Sequence, residues 1–333
     1  MRKRLGPEKN KKQVRSILLI YLVIAASMVV VFPLTVPEVK AQVVHLATAS
    51  LEDAAGMPYD TGPLGDGIVE WDPNVDHIIN NPLGYTIESF MTLNIPPLNT
   101  NRNKPDLSDP DQHEIVANRI DVFGKFITNQ DGVLLPHTKT GFLGGGMIAF
   151  DGIYFHPGSE GRLFDVLIKD AENGVVFLPG SKLIFPGVQD TIFRDTHNYG
   201  MYMDGALGYT NMEMAYFEFP NEIGLYVTNG TLNLTYPVYF KSHGPGSSSL
   251  HISNAKVSAD QIFFWGYNQT GNSIFIEGDS DETVISECLF KDGNETEDDN
   301  YYIQCQGSSI LIDNCIFVTR QGARTVRASD DAF

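Results

Sequence analysis

Short runs of alternating apolar and polar residues, each followed by a polar turn, recur in the second half of the chain. Ile310 and Ile312 lie two residues apart, and after the polar Asp313 and Asn314 the same spacing resumes at Cys315 and Phe317. This period of two is typical of strands that bury one face. Runs with apolar residues three and four apart, which helical repeats require, do not occur in these segments. The pattern predicts an all-β body.

The alternating runs repeat. Residues 272–292 and 299–319 align without a gap at a spacing of 27 residues, from Cys288 to Cys315. The alignment also places Ile276 over Ile303, Val284 over Leu311 and Phe290 over Phe317. A third copy at 248–258 matches 308–318, with Leu250, Ile252, Asn254 and Val257 under Ile310, Ile312, Asn314 and Phe317. Such a repeat predicts coils of three strands, stacked with equivalent residues about 4.8 Å apart.

The motif I-x-I-x-N-C-x-F at 310–317 resembles the coil signature of the right-handed parallel β-helix repeat family. In that family the Asn lies at a bend and successive Asn side chains form a ladder. Asn254 and Asn314 match this position, whereas Glu287 departs from it. Residues 150–177 also resemble β-helix coils, and the stretch from Trp71 to Pro96 is similar to archaeal secreted and cell-surface β-helix proteins. The resemblance implies a right-handed parallel β-helix solenoid.

The N-terminus carries an export signal. Seven basic residues precede the apolar run 17–32, namely Arg2, Lys3, Arg4, Lys9, Lys11, Lys12 and Arg15. Small residues around Ala41 favour cleavage before Gln42, whereas an uncleaved run would be a signal anchor helix. Both alternatives place the body outside the cell, secreted or on the cell surface, with membrane contact only through this segment.

Three regions follow from these patterns. Residues 1–41 are the signal peptide or signal anchor, 42–114 a lead-in with a surface excursion at 99–114, and 115–333 the parallel β-helix. No amphipathic cap follows the last coil, although terminal coils of solenoids need one. We therefore expect either a chain truncated at its C-terminus or a coil covered by a partner.

Charge and glycosylation motifs agree with an exported body. The formal net charge is −18, and it becomes −24 without the eight Lys/Arg and two Asp/Glu of residues 1–41. A body this acidic repels nucleic acid. Four N-x-S/T glycosylation motifs occur, at Asn229, Asn233, Asn268 and Asn294. In an exported chain they predict a sugar-coated surface.

The three cysteines are too few for a disulfide framework. Cys288 and Cys315 occupy equivalent positions in adjacent coils, where a disulfide is geometrically feasible. Parallel side chains in such a stack favour reduced, stacked thiols that fill the core. Cys305 is left over in both cases.

The motifs of common enzyme classes are missing. The chain contains no P-loop, dinucleotide fingerprint, HExxH or GxSxG motif. The β-helix resemblance implies pectate lyase or polygalacturonase activity as one alternative. Of the polygalacturonase motifs, however, only Ser242, His243 and Gly244 partly match, and the Asp298–Asp299 pair lies in an acidic loop. We therefore predict no catalytic residues and no required cofactor.

One cluster stands out as a ligand loop. Residues 194–205 contain Asp195, His197, Tyr199, Tyr202 and Asp204 around two glycines. They predict either a sugar-binding loop with aromatic platforms or a long loop whose aromatics pack on the stack.

Two acidic groups have the density of a calcium loop. They are Asp279, Asp281 and Glu282, and separately Asp106, Asp109 and Asp111. Both lack the glycine and closing-Glu spacing of a calcium-binding loop, so Ca²⁺ is a weak alternative and no metal site is predicted.

Two functions remain open. The first is a non-catalytic cell-surface protein whose β-helix contacts a glycan, a protein partner or a surface layer. The second is a secreted polysaccharide lyase or glycoside hydrolase.

Overall fold

The computed structural model describes strands and the corners between them. The described residues are 68–70, 77–79, 84–90, 92–95, 111–128, 139–143, 150–243, 248–267, 272–291, 301–318 and 324–328. Within them every strand pairing is parallel, and the strands stack as a β-solenoid. The predicted all-β parallel solenoid is confirmed for this part of the chain.

Each coil has three faces, which we number in the order that the chain visits them. Face 1 is a ten-stranded parallel sheet. Its strands are Tyr85–Ile87, Ile120–Val122, Ile153–Phe155, Asn173–Phe177, Tyr199–Asp204, Ile223–Thr228, Ser248–Ser253, Ile274–Glu277, Tyr301–Gln306 and Arg324–Ala328.

Faces 2 and 3 form the second sheet, of 17 strands. Face 2 contains Ile68–Glu70, Thr92–Ile95, Lys125–Thr128, Leu207–Gly208, Lys256–Asp260, Thr283–Ser286 and Ile310–Asp313. Face 3 contains His77–Ile79, Asp111–Ala117, Lys139–Leu143, Phe263–Tyr267, Leu289–Lys291 and Ile316–Val318. Four long strands bend through both faces: Glu160–Lys169, Lys182–Arg194, Asn211–Glu218 and Thr231–His243.

A column of phenylalanines runs through the interior behind face 3. Its members are Phe193, Phe217, Phe240, Phe264, Phe290 and Phe317. Adjacent rings stack with centroids 4.8–5.0 Å apart and nearly parallel planes. This distance matches the spacing of paired strands, so the strand register places each phenylalanine directly on the next. All but Phe317 are fully buried.

The coils turn at corners where one residue adopts a left-handed backbone. Between faces 2 and 3 the stacked residues Gln261, Glu287 and Asn314 have φ of 57°, 51° and 51°. At this corner the backbone N–H of Gln261 donates to the carbonyl oxygen of Ser286 in the next coil. The backbone N–H of Glu287 donates to the carbonyl oxygen of Asp313 in the same way. A corner of this kind closes the backbone ladder without a gap.

Asn254 and Asn314, which match the Asn position of the resembled family, do not lie at the same corner. Asn254 lies between faces 1 and 2, where Asn229 and Gly278 occupy the same corner of the neighbouring coils. Asn314 lies at the other corner, in line with Glu287. The pattern I-x-I-x-N therefore marks two different corners, because either one accepts a residue that tolerates a left-handed backbone.

The same ambiguity shifted the predicted third copy by one face. Leu250 and Ile252 belong to face 1 and Val257 to face 2. The residues aligned with them, Ile310, Ile312 and Phe317, belong to faces 2 and 3.

The spacing of 27 residues holds on two faces. Val284 pairs with Leu311 and Phe290 with Phe317, as predicted. On face 1, however, Ile303 pairs with Ile274, and Ile276 pairs with Cys305. The register moves by two residues because the corner 278–282 is two residues longer than its counterpart 307–309.

Parallel pairing begins upstream of the predicted start at 115, since Ile68–Glu70 already pairs with Thr92–Asn94. The signal or anchor at 1–41, the apolar run 17–32, and most of the 99–114 excursion lie outside the described residues. So does the chain end at 329–333.

Candidate functional site

An aromatic row lies on the outside of face 1. Tyr202, Tyr226, His251 and Phe275 pair in sequence across four neighbouring coils. Each alternates along its strand with buried apolar residues, such as Met201 and Met203, so the strand period directs these rings outward. Tyr199 joins the row, with its ring centroid 5.3 Å from that of Tyr202. We call these five residues the aromatic cluster.

The rings of the aromatic cluster do not all stack. Tyr226 and His251 stack at 4.2 Å with planes 11° apart. Tyr202 is turned 87° from Tyr226, and Phe275 is turned 75° from His251. A stacked pair is thus flanked by two turned rings, three strand spacings or roughly 14 Å apart. Because they are turned, Tyr202 and Phe275 are not stacked face to face on Tyr226 and His251.

Face 3 carries a second outward aromatic row with different geometry. Tyr216, Tyr239 and Phe263 stack with planes 5° and 12° apart. Because each ring covers the faces of its neighbours, this row directs ring edges outward. It provides a matched reference for the aromatic cluster.

Polar groups border the aromatic cluster. Burial, together with the nearby negative charge of Asp204, raises the pKa of Tyr202 to about 12. Glu277 Oε1 lies 3.1 Å from His251 Nε2. Burial lowers the pKa of His251 and outweighs the opposing effect of Glu277. At neutral pH the cluster therefore combines uncharged rings with carboxylate acceptors.

The predicted ligand loop is largely a strand. Tyr199, Tyr202 and Asp204 belong to the face 1 strand Tyr199–Asp204 and to the site around the aromatic cluster. Asp195 lies at the preceding corner with φ of 52°. His197 is exposed there, with Nδ1 2.9 Å from Asn221 Nδ2. The structure thus brings three of the five predicted residues together.

Sequence reasoning missed Tyr226, His251 and Phe275. They come from three other coils, and only the face 1 register brings them together. The available signal was an aromatic or His residue between two apolar residues in each of these strands.

A charged network lies upstream on the same face. Arg119 bonds Asp121 through Nε at 2.9 Å and Asp151 through Nη1 at 3.1 Å. His156 Nε2 lies 2.6 Å from Asp121, and Tyr154 donates to Asp151 at 2.8 Å. Burial would raise the pKa of Asp121, but hydrogen bonds from Arg119 and His156 hold it below its usual value. Both carboxylates are thus paired with a cation.

Two glycosylation motifs lie in described segments. Asn229 is exposed at a corner, and its Nδ2 donates to Asp204 Oδ1 at 2.8 Å. Asn233 is half-buried within a face 2 strand between Asn211 and Ser258. Its Nδ2 donates to Asn211 Oδ1 at 3.0 Å. Asn268 and Asn294 lie outside the described residues.

The cysteines occur as free thiols. Cys288 and Cys315 lie in adjacent coils, and the backbone N–H of Ile316 donates to the carbonyl oxygen of Cys288. Burial raises the pKa of Cys288 to about 12. Cys305 is buried behind face 1.

The acidic group at 279–282 does not converge. Asp281 accepts from the Ser309 amide at 2.7 Å, whereas Glu282 pairs with Lys256 at 2.6 Å. In the described part of the chain no three His, Cys, Asp or Glu side chains are grouped as metal ligands. Asp106, Asp109, Gly244, Asp298 and Asp299 lie outside it, as do the side chains of Asp111, Ser242 and His243.

No helix among the described residues is long and apolar enough to span a membrane. No protein-family model matches the sequence, and comparisons with curated proteins and with solved structures found no match.

Proposed function

We propose that the protein is a non-catalytic extracellular β-helix protein of the cell surface that binds a glycan through the aromatic cluster. The observation that carries this proposal is the pair of turned rings, Tyr202 and Phe275, at the two ends of the outward row. The C–H groups of a sugar ring pack against aromatic faces, while sugar hydroxyls donate to nearby carboxylates. Asp204 and Glu277 supply such acceptors.

Location forms part of the same proposal. The basic and apolar N-terminal segment supports export, with residues 17–32 as a membrane anchor if they are not removed. The sequence resemblance to archaeal cell-surface β-helix proteins supports the same proposed location. The strongly acidic body favours a neutral glycan over an acidic one, because like charges repel.

The test is binding of neutral oligosaccharides to the purified full chain by calorimetry. We expect Tyr202→Ala to weaken binding roughly tenfold, since an aromatic contact is worth about 0.5–1.5 kcal/mol beyond its buried area. Tyr216→Ala, in the stacked row of face 3, is the matched control and should leave the affinity unchanged. Equal loss in both variants, or no binding by the parent protein, contradicts the proposal.

The charged network supports a second candidate, a polysaccharide lyase or glycoside hydrolase. Two carboxylates, a histidine and an arginine converge on the same face as the aromatic cluster. A glycosidase, however, needs one carboxylic acid that stays protonated. The low pKa of Asp121 does not supply it. Release of reducing or unsaturated ends from a polysaccharide panel, abolished by Asp151→Asn, would favour the enzyme.

A further inference from the structure

Asn229 lies beside the aromatic cluster. The strand that ends just before it, Ile223–Thr228, carries Tyr226 on its outer side. The side-chain amide of Asn229 reaches back by one coil to Asp204, whose negative charge also acts on the hydroxyl of Tyr202. Asp204 is thus bonded to Nδ2 of Asn229 and lies two residues after Tyr202 on the same strand.

The backbone at Asn229 is also open. The residue has φ of 52° at an exposed corner and is followed by Gly230 and Thr231. A Cβ placed on Gly230 would have its nearest neighbour at 3.5 Å, an ordinary van der Waals contact, so this corner is not crowded. Asn233, by contrast, lies in mid-strand, half-buried and paired on both sides. Of these two motifs, Asn229 has the more exposed side chain.

We infer that Asn229, and not Asn233, carries an N-linked glycan whose first sugars lie against Tyr202 and Tyr226, covering that end of the aromatic cluster. The inference rests on the proposed extracellular function, since modification requires export. The attached glycan is then an intramolecular competitor of any external glycan.

The chemistry requires one co-reactant, a lipid-linked oligosaccharide phosphate. Nδ2 of Asn229 bonds to the anomeric carbon, the bond from that carbon to the phosphate oxygen breaks, and the lipid phosphate leaves with the bonding electrons. One amide proton is lost to the transferase. The second proton stays on Nδ2, which keeps one N–H donor.

The first experiment is mass spectrometry of glycopeptides from the full chain made in a host that performs N-glycosylation. We expect sugar on Asn229 and none on Asn233. Sugar on Asn233 with Asn229 unmodified overturns the inference.

The second experiment measures oligosaccharide affinity of the full chain from that host and from a host without N-glycosylation. We expect binding about tenfold weaker in the modified protein, corresponding to a platform free for roughly a tenth of the time. Asn229→Gln from the glycosylating host should restore the affinity, and the control Asn233→Gln should not.

The two proposals fail in different ways. If neither form binds external glycan while Asn229 is occupied, the proposed function fails and the modification site stands. If both forms bind equally with Asn229 occupied, the covering of the cluster is overturned while glycan binding stands.

Discussion

Single residues in this solenoid owe their environment to the coils above and below. Phe264 is an example, because its ring lies between those of Phe240 and Phe290, 5.0 and 4.8 Å away. His251 is another, stacked on Tyr226 from the preceding coil. At this scale, contacts between distant parts of the sequence decide both stability and titration.

Phe264→Ala should lower the free energy of unfolding by about 3–5 kcal/mol, because a rigid stack closes poorly over the cavity. Urea unfolding followed by circular dichroism measures the change. Phe263→Ala, the outward neighbour, is the control and should cost clearly less. Similar losses in the two variants would contradict the interior stack.

His251 should make the fold less stable at acidic pH. Its pKa is lowered in the folded protein, so the unfolded chain binds the proton more readily and stability falls as pH drops below about 6.5, the ordinary His value. The free energy of unfolding at pH 8 and pH 5 tests this. His251→Phe should reduce the decrease, and an unchanged decrease would show that other groups cause it.

Strand assignment was within reach of the sequence, whereas corner assignment was not. The period of two identified Ile310–Asp313 and Ile316–Val318 as strands, because burial of one face imposes that period. Asn254 and Asn314 look alike in sequence yet turn different corners. Of the aromatic cluster only Tyr199 and Tyr202 were predicted from the sequence. Tyr226, His251 and Phe275 come together only through the face 1 register.

The left-handed corners predict an element-scale effect. Gln261 is exposed with φ of 57°, a conformation that costs a residue with a side chain about 1–2 kcal/mol. Gln261→Gly should therefore stabilise the protein by a few tenths to about 1 kcal/mol, after the entropic cost of glycine. Thermal unfolding measures it. Thr86→Gly, in an exposed strand position, should destabilise instead.

At the scale of the whole molecule, each coil contacts only its neighbours, so stability is distributed along the stack. The inward residues Ile310, Ile312, Cys315 and Phe317 are only partly buried. We expect faster amide hydrogen exchange in 310–318 than in 231–243, because the interior residues of 310–318 are less well buried. Uniform protection along the stack would contradict this.

The connections between faces differ in how much their lengths vary from coil to coil. From Lys256 onward the corner between faces 2 and 3 takes two residues in each coil, 261–262, 287–288 and 314–315. The connections from face 3 back to face 1 vary: 244–247, 268–273, 292–300 and 319–323. The phenylalanine rings keep a spacing of 4.8–5.0 Å across coils whose connections differ in length. Peptides inserted into successive connections would therefore begin one coil apart, at the strand spacing of roughly 4.8 Å.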